Sequence, residues 1–143
     1  MTYYPASSDK NLVRGDDRDY DLYVVAPAAS PAAQAQAIDL TGAELIYTLK
    51  LLRPDGKSVH ADPVVVRKTS GDTAEIEILD QTQAATKGRA TIHLMGADTK
   101  FLVPGVYGYD VQVRTAANKV YTVARGRLYL AGDVTAAEDG TSP

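Results

Sequence analysis

The sequence predicts an all-β domain, a single antiparallel β-sandwich of about eight strands, and three observations carry that prediction. Apolar and polar residues alternate with a period of two in several segments. Turn residues separate these segments at the spacing typical of a sandwich or barrel. No long segment has the period of an amphipathic helix, and 143 residues suffice for one domain with its own core. Immunoglobulin-like and jelly-roll arrangements both fit this pattern.

Five strands are predicted in the first hundred residues. The clearest covers residues 44–52, where every second side chain from Leu45 to Leu51 falls on one apolar face. The Pro-Asp-Gly run at residues 54–56 supplies a turn after it, because proline fixes the first corner and glycine accepts a positive φ. The remaining four strands are residues 19–25, 64–69, 74–78 and 89–94.

The C-terminal third predicts a hairpin of two long strands. Every second side chain of its first strand faces the core, namely Tyr107, Tyr109, Val111 and Val113. Residues 116–119 form the connection, in which an asparagine tolerates the left-handed region of backbone conformation. The second strand covers residues 120–130 and is expected to bend at Gly126.

The sandwich domain is assigned to residues 12–135, between an N-terminal arm of residues 1–11 and a C-terminal tail of residues 136–143. Both end segments lack the alternation of a strand, and chain termini are usually frayed unless a partner holds them. Residues 26–37 are rich in alanine, proline and glutamine and are expected to form a long loop or a short helix. No secretory leader or bilayer-spanning apolar segment is recognised, so we expect synthesis in a cytoplasm and no membrane partner.

Composition excludes several kinds of chemistry. The chain has no cysteine, so disulfides, thiolate catalysis and sulfur-ligated zinc are excluded. Its formal net charge of −3 argues against nucleic acid as a partner. The two histidines, His60 and His93, are expected on the surface, and no serine has the G-x-S-x-G motif of a nucleophile. We therefore expect no cofactor and no enzymatic activity.

Two short motifs match ligand-binding patterns only in part. Asp17, Asp19 and Asp21 have the spacing of a calcium loop, but the sixth and twelfth positions are leucine and alanine instead of glycine and glutamate. The alternation of a strand accounts for the same spacing. Residues 14–16 spell Arg-Gly-Asp, a tripeptide found in adhesion ligands, and turn geometry before a strand explains their glycine.

Seven of the nine tyrosines divide into core and interface candidates. Tyrosine is enriched at protein interfaces because it offers a large apolar area with a polar tip. Alternation places Tyr47, Tyr107 and Tyr109 in the core. The residues left as candidates for a partner interface are Tyr3, Tyr4 and Pro5 in the arm, with Tyr121 and Tyr129 in the last strand.

Several segments, taken in order, resemble a known family. They read Ile-Asp-Leu-Thr-Gly-Ala at residues 38–43, Gly-Arg-Ala-Thr-Ile-His-Leu at 88–94, Ala-Asp-Thr at 97–99, Leu-Val-Pro-Gly-Val-Tyr-Gly-Tyr-Asp-Val at 102–111, and Gly-Asp-Val-Thr at 132–135. This series resembles the immunoglobulin-like β-sandwich domains of tailed-bacteriophage virion proteins. The N-terminal domain of phage baseplate upper proteins has the most similar pattern, and the resemblance covers about residues 12–135.

The matching motif residues have structural roles that the resemblance implies. Gly42 would give the backbone freedom that a Leu-Thr-Gly loop needs before a strand. Pro104 and Gly105 would form a turn that places Tyr107 inward, as a corner tyrosine does in sandwich domains. The full set of turn and core motif residues is Leu40, Thr41, Gly42, Gly88, Pro104, Gly105, Tyr107 and Tyr109.

The resemblance also implies a function. In the baseplate proteins this domain is followed by receptor-binding or trimerising parts, whereas this sequence ends eight residues after Thr135. A sandwich of this size with two arms is similar to capsid cement or decoration proteins. That class would be made in the bacterial host cytoplasm and placed on the capsid surface of the virion. Its partners would be the major capsid protein and further copies of the chain, as a homodimer or homotrimer.

Two alternatives stay open at this point. The first is a tail or baseplate adaptor of the same fold, which would differ from a cement protein in copy number and partner. The second is a carbohydrate-binding module or adhesin, since sandwiches often bind sugars. Such modules usually present tryptophan platforms, and this chain has no tryptophan.

Overall fold

The computed structural model describes residues 6–26, 36–53 and 63–133. Within these ranges it is built almost entirely of strands, with one helix of four residues. The elements are β1 (Ala6–Ser7), β2 (Lys10–Val13), β3 (Arg18–Tyr23), β4 (Val25–Ala26), β5 (Gln36–Ala37), β6 (Glu44–Leu51), β7 (Val64–Thr69), β8 (Ile76–Ile78), β9 (Arg89–Leu94), α1 (Gly96–Thr99), β10 (Gly105–Arg114) and β11 (Val120–Ala131).

Two sheets form a sandwich, which confirms the predicted fold class. In the large sheet the order is β1 and β2 on one edge, then β11, β10, β6 and β7. The small sheet has the order β3, β9, β8, and a two-residue ribbon pairs β4 with β5. Predicted strands 64–69 and 89–94 have the bounds observed for β7 and β9. The predicted turn at residues 54–56, the predicted tail and most of residues 26–37 lie outside the described residues.

The N-terminal edge differs from the sequence expectation. β1 and β2 follow each other along β11 and run parallel to it, with Ala6 opposite Ala124 and Leu12 opposite Leu130. Most of residues 6–11, predicted as part of an arm, therefore belong to the large sheet, and one edge of the otherwise antiparallel sheet is parallel. This segment is held by backbone hydrogen bonds to the edge of β11, and such bonds do not depend on the side chains. Its polar sequence can therefore form strands without the alternation by which a strand is predicted.

The core lies between the sheets and follows the predicted alternation. All four inward positions of β10 are buried, and so are Leu45, Tyr47 and Leu49 of β6. From the small sheet, Ile76, Ala90, Ile92 and Leu94 complete the core. Leu51 pairs with the inward residue Tyr107 but is half exposed, because it is the last residue of β6.

The β10–β11 hairpin has the predicted connection and an irregularity that was not predicted. Asn118 has a φ of +64°, and the Thr115 amide donates to the Lys119 carbonyl over 2.8 Å. The register shifts where Val111 pairs with Ala124 and Gln112 with Thr122, so Val123 is bulged. The sequence placed a bend at Gly126, whose pairing with β10 is regular. A bulge leaves one residue without a partner, so the inward and outward alternation of side chains shifts by one position. It does not need a glycine.

One ion pair links β7 of the large sheet to α1. Lys68 is 8% exposed and faces the core, and its Nζ lies 2.7 Å from Asp98 Oδ2 in α1. The same carboxylate oxygen accepts a hydrogen bond from the Met95 amide over 2.8 Å. Asp98 thus satisfies both a buried ammonium and the start of α1, which fixes the helix against the large sheet.

Candidate interaction surface

The Leu40-Thr41-Gly42 motif forms a turn. Leu40 is buried, and Gly42 has a φ of +73°. The Thr41 amide and hydroxyl both donate to Asp39 Oδ1, over 2.9 and 2.6 Å. These two hydrogen bonds, the hydroxyl's first, hold the pKa of Asp39 below its usual range. The motif therefore forms the turn that precedes β6, and its side chains offer no reactive group.

Gly88 ties this turn to the small sheet. Gln81 Oε1 accepts hydrogen bonds from the amides of Gly88 and Leu40, each over 2.9 Å. Gly88 has a φ of +77°, and a Cβ there would lie 2.7 Å from the Val24 carbonyl oxygen. Only glycine permits this close approach of two backbones. Gly88 is thus a packing residue.

The motif around Pro104 and Tyr107 fixes the start of β10. Pro104 lies at a bend, and Gly105 is already the first residue of β10. Tyr107 is buried as predicted, and its hydroxyl donates to the Val103 carbonyl over 2.6 Å. This hydrogen bond holds the preceding loop against the strand, as a tyrosine corner does.

The structure separates the tyrosines that the sequence grouped as interface candidates. Tyr3, Tyr4 and Pro5 lie outside the described residues. Tyr121 pairs with the inward residue Val113 and packs against the core, because the bulge at Val123 reverses the alternation before it. Tyr129 lies beyond the bulge on the outer face of the large sheet and is 37% exposed.

Tyr129 belongs to an apolar surface at one end of the sandwich. Its Cα partner in β10 is Val106, which also faces outwards, and Val13 lies opposite Ala131 on the neighbouring strand. The loop before β10 adds Phe101 and Val103, which are 80% and 71% exposed. We call this set the end patch: Val13, Phe101, Val103, Val106 and Tyr129.

The loop that carries two of the five end-patch residues is tied to the neighbouring chain segments. Arg14 donates from Nη1 to the Leu102 carbonyl over 3.4 Å and from Nε to Asp133 Oδ1 over 2.8 Å. The Gly15 amide donates to Thr99 Oγ1 over 3.0 Å, with a φ of +87° at the glycine. The Arg-Gly-Asp tripeptide is thus engaged in structural contacts, and it holds the exposed loop in place.

A shallow groove of about 480 Å³ is lined by three of the five end-patch residues and not by Phe101 or Val103. Val13, Val106 and Tyr129 form its apolar part, and Asp16 and Arg18 lie among the polar residues that line it. An apolar centre with charged residues around it is the composition of protein–protein interfaces. Large exposed apolar patches on single domains mark interaction sites.

Other candidate chemistry is sparse in the part of the chain that the structure describes. His93 Nδ1 lies 2.7 Å from Asp19 Oδ1, across the β3–β9 pairing, and His60 is outside the described ranges. Asp17 Oδ1 accepts the Gly96 amide over 2.5 Å, so this carboxylate of the suspected calcium spacing has a structural partner. Among described residues, no three histidine, aspartate or glutamate side chains are placed to hold a metal ion. No described helix is long and apolar enough to cross a membrane.

Sequence reasoning missed the most exposed members of the end patch. Phe101 and Val103 flank Leu102 in a connection between elements, where alternation gives no information about direction. The available signal was the run of three apolar residues before Pro104, because loops are ordinarily polar. The partly buried Leu102 shows that only one of the three is needed by the core.

The fold and this surface together define a β-sandwich with an exposed apolar end. No protein-family model matches the chain, and no curated protein is significantly similar to it.

Proposed function

We propose that the chain is a non-enzymatic virion structural protein of a tailed bacteriophage, and specifically a capsid cement protein that binds the major capsid protein. The support from the sequence is the ordered series of motifs that resemble phage virion sandwiches. The support from the structure is the end patch, which exposes Phe101 and Val103 on a loop held by Arg14. The end patch is the observation that carries the proposal, because a binding role needs such a surface.

The end patch would act by burying apolar area against a capsid subunit. Burial is worth about 25 cal/mol per Å² of apolar surface, so a few exposed side chains make each contact modest. Icosahedral repetition multiplies such contacts. An arm that binds a second subunit keeps the chain near the capsid, which raises the effective concentration of the end patch at its own binding site. The predicted arm residues Tyr3, Tyr4 and Pro5 would supply that second contact in a dimer or trimer on the head.

The first experiment counts the chain in virions of the phage whose genome encodes it. Purified particles are disrupted, heads are separated from tails, and the chain is quantified in each fraction by mass spectrometry. Hundreds of copies on heads are expected for a cement protein. A handful on tails would instead establish the tail or baseplate adaptor, and absence from both fractions would exclude a virion role and favour the carbohydrate-binding alternative.

A second experiment tests the end patch itself. Val103→Ser should reduce binding of the purified chain to heads by about tenfold, because it replaces a 71% exposed apolar contact by a hydroxyl. Val120→Ser is the matched control, since Val120 is half exposed at the opposite end of β11. Equal binding of the two variants would remove the end patch from the proposal. Thermal melting of both variants verifies that the fold is intact.

A further inference from the structure

The outer face of the large sheet carries a group of positive charges on a chain whose formal net charge is −3. Arg125 and Arg127 of β11 are exposed, because they alternate with inward residues such as the buried Leu128. Lys50 lies two strands away from Arg127, and Arg67 lies three strands away from Arg125. Adjacent strands are about 4.8 Å apart, so the four cations span about 15 Å of the sheet. We call them the basic face: Arg125, Arg127, Lys50 and Arg67.

Two carboxylates near the basic face leave it with an excess of positive charge. Asp110 lies opposite Arg125 and is half-buried, and burial raises its pKa although the Lys50 ammonium lowers it in part. Asp9 accepts a hydrogen bond from the Arg127 amide over 3.1 Å at the edge of the sheet. Neither Arg125 nor Arg127 forms an ion pair with another described residue, so both guanidinium groups can bind carboxylates of another molecule.

The outer face of the small sheet carries the opposite charge. Asp19 and Asp21 of β3 are exposed, and the Asp19 carboxylate lies 2.7 Å from His93 Nδ1. Glu77 of β8 is also exposed and lies in the row of Asp21, across Thr91 of β9. We call these three carboxylates the acidic face: Asp19, Asp21 and Glu77.

The other charged groups of the small sheet do not neutralise the acidic face. Arg89 lies at the far end of the face, with its guanidinium carbon 4.2 Å from the centroid of the Tyr23 ring. The Glu75 carboxylate accepts a backbone amide of β7 over 3.0 Å and turns away from the face. Asp21 and Glu77 form no ion pair within the described part of the chain. Their carboxylates are therefore available to cations of another molecule.

The charged pairs on the two faces have the same spacing. Asp19 and Asp21 are two residues apart on one strand, as are Arg125 and Arg127. Two residues of a strand correspond to about 7 Å, and side chains two residues apart point to the same side of a sheet. One copy of the chain therefore presents carboxylates at the separation at which another copy presents guanidinium groups.

The backbone fixes how the two faces can meet. The Arg125 carbonyl accepts the Ser8 amide over 3.2 Å, so the backbone polar groups of outward residues on β11 point away from β10. Beside β3, the inward residue Val24 donates to the Gly88 carbonyl over 2.7 Å, so the outward residues of β3 point away from β9. Seen from outside, the two faces thus have the same hand. Such faces superpose face to face only when β3 of one copy runs antiparallel to β11 of the other.

In this orientation each carboxylate of the acidic face lies beside a cation of the basic face. The contacts are Asp21 with Arg125, Asp19 with Arg127, and Glu77 with Lys50 and Arg67. We propose that the acidic face of one copy binds the basic face of a second copy through these contacts. Because the two faces lie on opposite sides of the sandwich, the interface is heterologous, and further copies add in line.

A second copy is the partner that the charges select. The chain has a formal net charge of −3 although it carries the basic face, so the rest of its surface repels a nucleic acid or another extended polyanion. The acidic face, by contrast, offers separate carboxylates at matching positions. This inference goes beyond the proposed capsid contact, which uses the end patch, and it does not depend on that contact because it concerns the chain in solution.

The test is an NMR dilution series of the isotopically labelled full chain at low salt, up to a concentration of about 2 mM. Exposed ion pairs are individually weak, so we expect a dissociation constant on the order of 1 mM. Amide shifts should depend on concentration at Thr91 and Glu77 on one face and at Thr48 and Asp110 on the other. They should vanish in 1 M salt, where the Debye length is about 3 Å. Shifts that are absent, confined to one face or insensitive to salt would overturn the proposal.

Charge reversal on each face tests whether the two faces bind each other. The variant Arg125→Asp with Arg127→Asp should show no concentration-dependent shifts, and the variant Asp19→Arg with Asp21→Arg should show none either. A mixture of the two variants should regain shifts on both faces, because each then presents the charges that the other needs. A mixture without shifts refutes the interface. Loss in the arginine variant alone would assign the basic face to a different acidic partner and also refute self-association.

A matched control separates the interface from the overall charge. Lys87→Asp with Lys119→Asp removes the same charge as the arginine variant, and both lysines lie in connections between strands, outside the two faces. Its dilution shifts should equal those of the unmodified chain. If the control also loses them, net charge and not the basic face governs association. Melting curves verify that all variants are folded, as expected for substitutions of exposed side chains.

Discussion

The two sides of the sandwich differ in how completely they bury their side chains. On the side of β6, β7 and β8, which we call the closed side, Leu45, Leu49 and Ile76 are completely buried and the Lys68–Asp98 ion pair joins β7 to α1. On the side of β1, β2 and β3, which we call the open side, the sheets stand apart around a cleft and the Tyr20 hydroxyl has no partner among described residues.

The difference shows how side-chain chemistry decides whether two sheet edges close. Aliphatic side chains pack on each other with no directional requirement, so the closed side reaches full burial. Tyrosines bring hydroxyls that must each find an acceptor. Tyr109 finds one in the Ser8 carbonyl, Tyr20 finds none in the described structure, and the open side keeps a space of about 250 Å³.

Truncation of a leucine on each side gives the largest expected effect. Leu49→Ala should lower the free energy of unfolding by about 3 to 5 kcal/mol, because the completely buried side chain leaves a cavity with no access to solvent. Leu22→Ala, at the cleft and 8% exposed, should cost about 2 kcal/mol, since fewer contacts are lost. Urea unfolding measures both, and equal losses would contradict the contrast between the two sides.

Removal of the buried carboxylate should come next. Asp98→Ala leaves the Lys68 ammonium buried without its counter-charge, and we expect a loss of about 3 kcal/mol in the free energy of unfolding. The control is Glu44→Ala, which breaks an exposed pair with Arg114 at 3.7 Å and should cost under about 0.5 kcal/mol. A similar loss in both variants would mean that Lys68 reaches water when Asp98 is absent.

A glycine replacement tests how the open side is held. A Cβ at Gly126 would collide with the Ser8 carbonyl, so Gly126→Ala should detach β1 and cost about 1 to 3 kcal/mol. Gly105→Ala is the matched control in the adjacent strand, because nothing lies within 4 Å of a Cβ there. Hydrogen exchange should show faster exchange at the Ser8 amide in the first variant only. Unchanged protection would show that β1 does not depend on this close approach.

The smallest effects come from three tyrosine hydroxyls. Tyr107→Phe and Tyr109→Phe each remove a hydrogen bond to a backbone carbonyl and should each cost about 1 kcal/mol. Tyr20→Phe removes a hydroxyl without a described partner, so we expect unchanged or slightly raised stability. Melting temperatures rank the three variants. A loss for Tyr20→Phe as large as for Tyr107→Phe would mean that its hydroxyl is satisfied in solution.

Local pattern by itself determined the strands β3 and β6 to β11 and most of the core. The bounds of β7 and β9, the inward face of β10 and the left-handed Asn118 all follow from residues close in sequence. The physical reason is that the period of two and the φ of a turn residue are properties of a few consecutive residues. The all-β sandwich could therefore be predicted, although its exact topology could not.

Tertiary structure alone decided the features that bear on function. The sequence did not show that residues 6–13 would pair in parallel with β11, that a bulge at Val123 would turn Tyr121 inward, or that Phe101 and Val103 would remain exposed. Each of these features depends on which backbone or side chain from another part of the sequence packs beside the residue in the folded chain. The cleft has the same origin, because it lies where the edges of the two sheets meet.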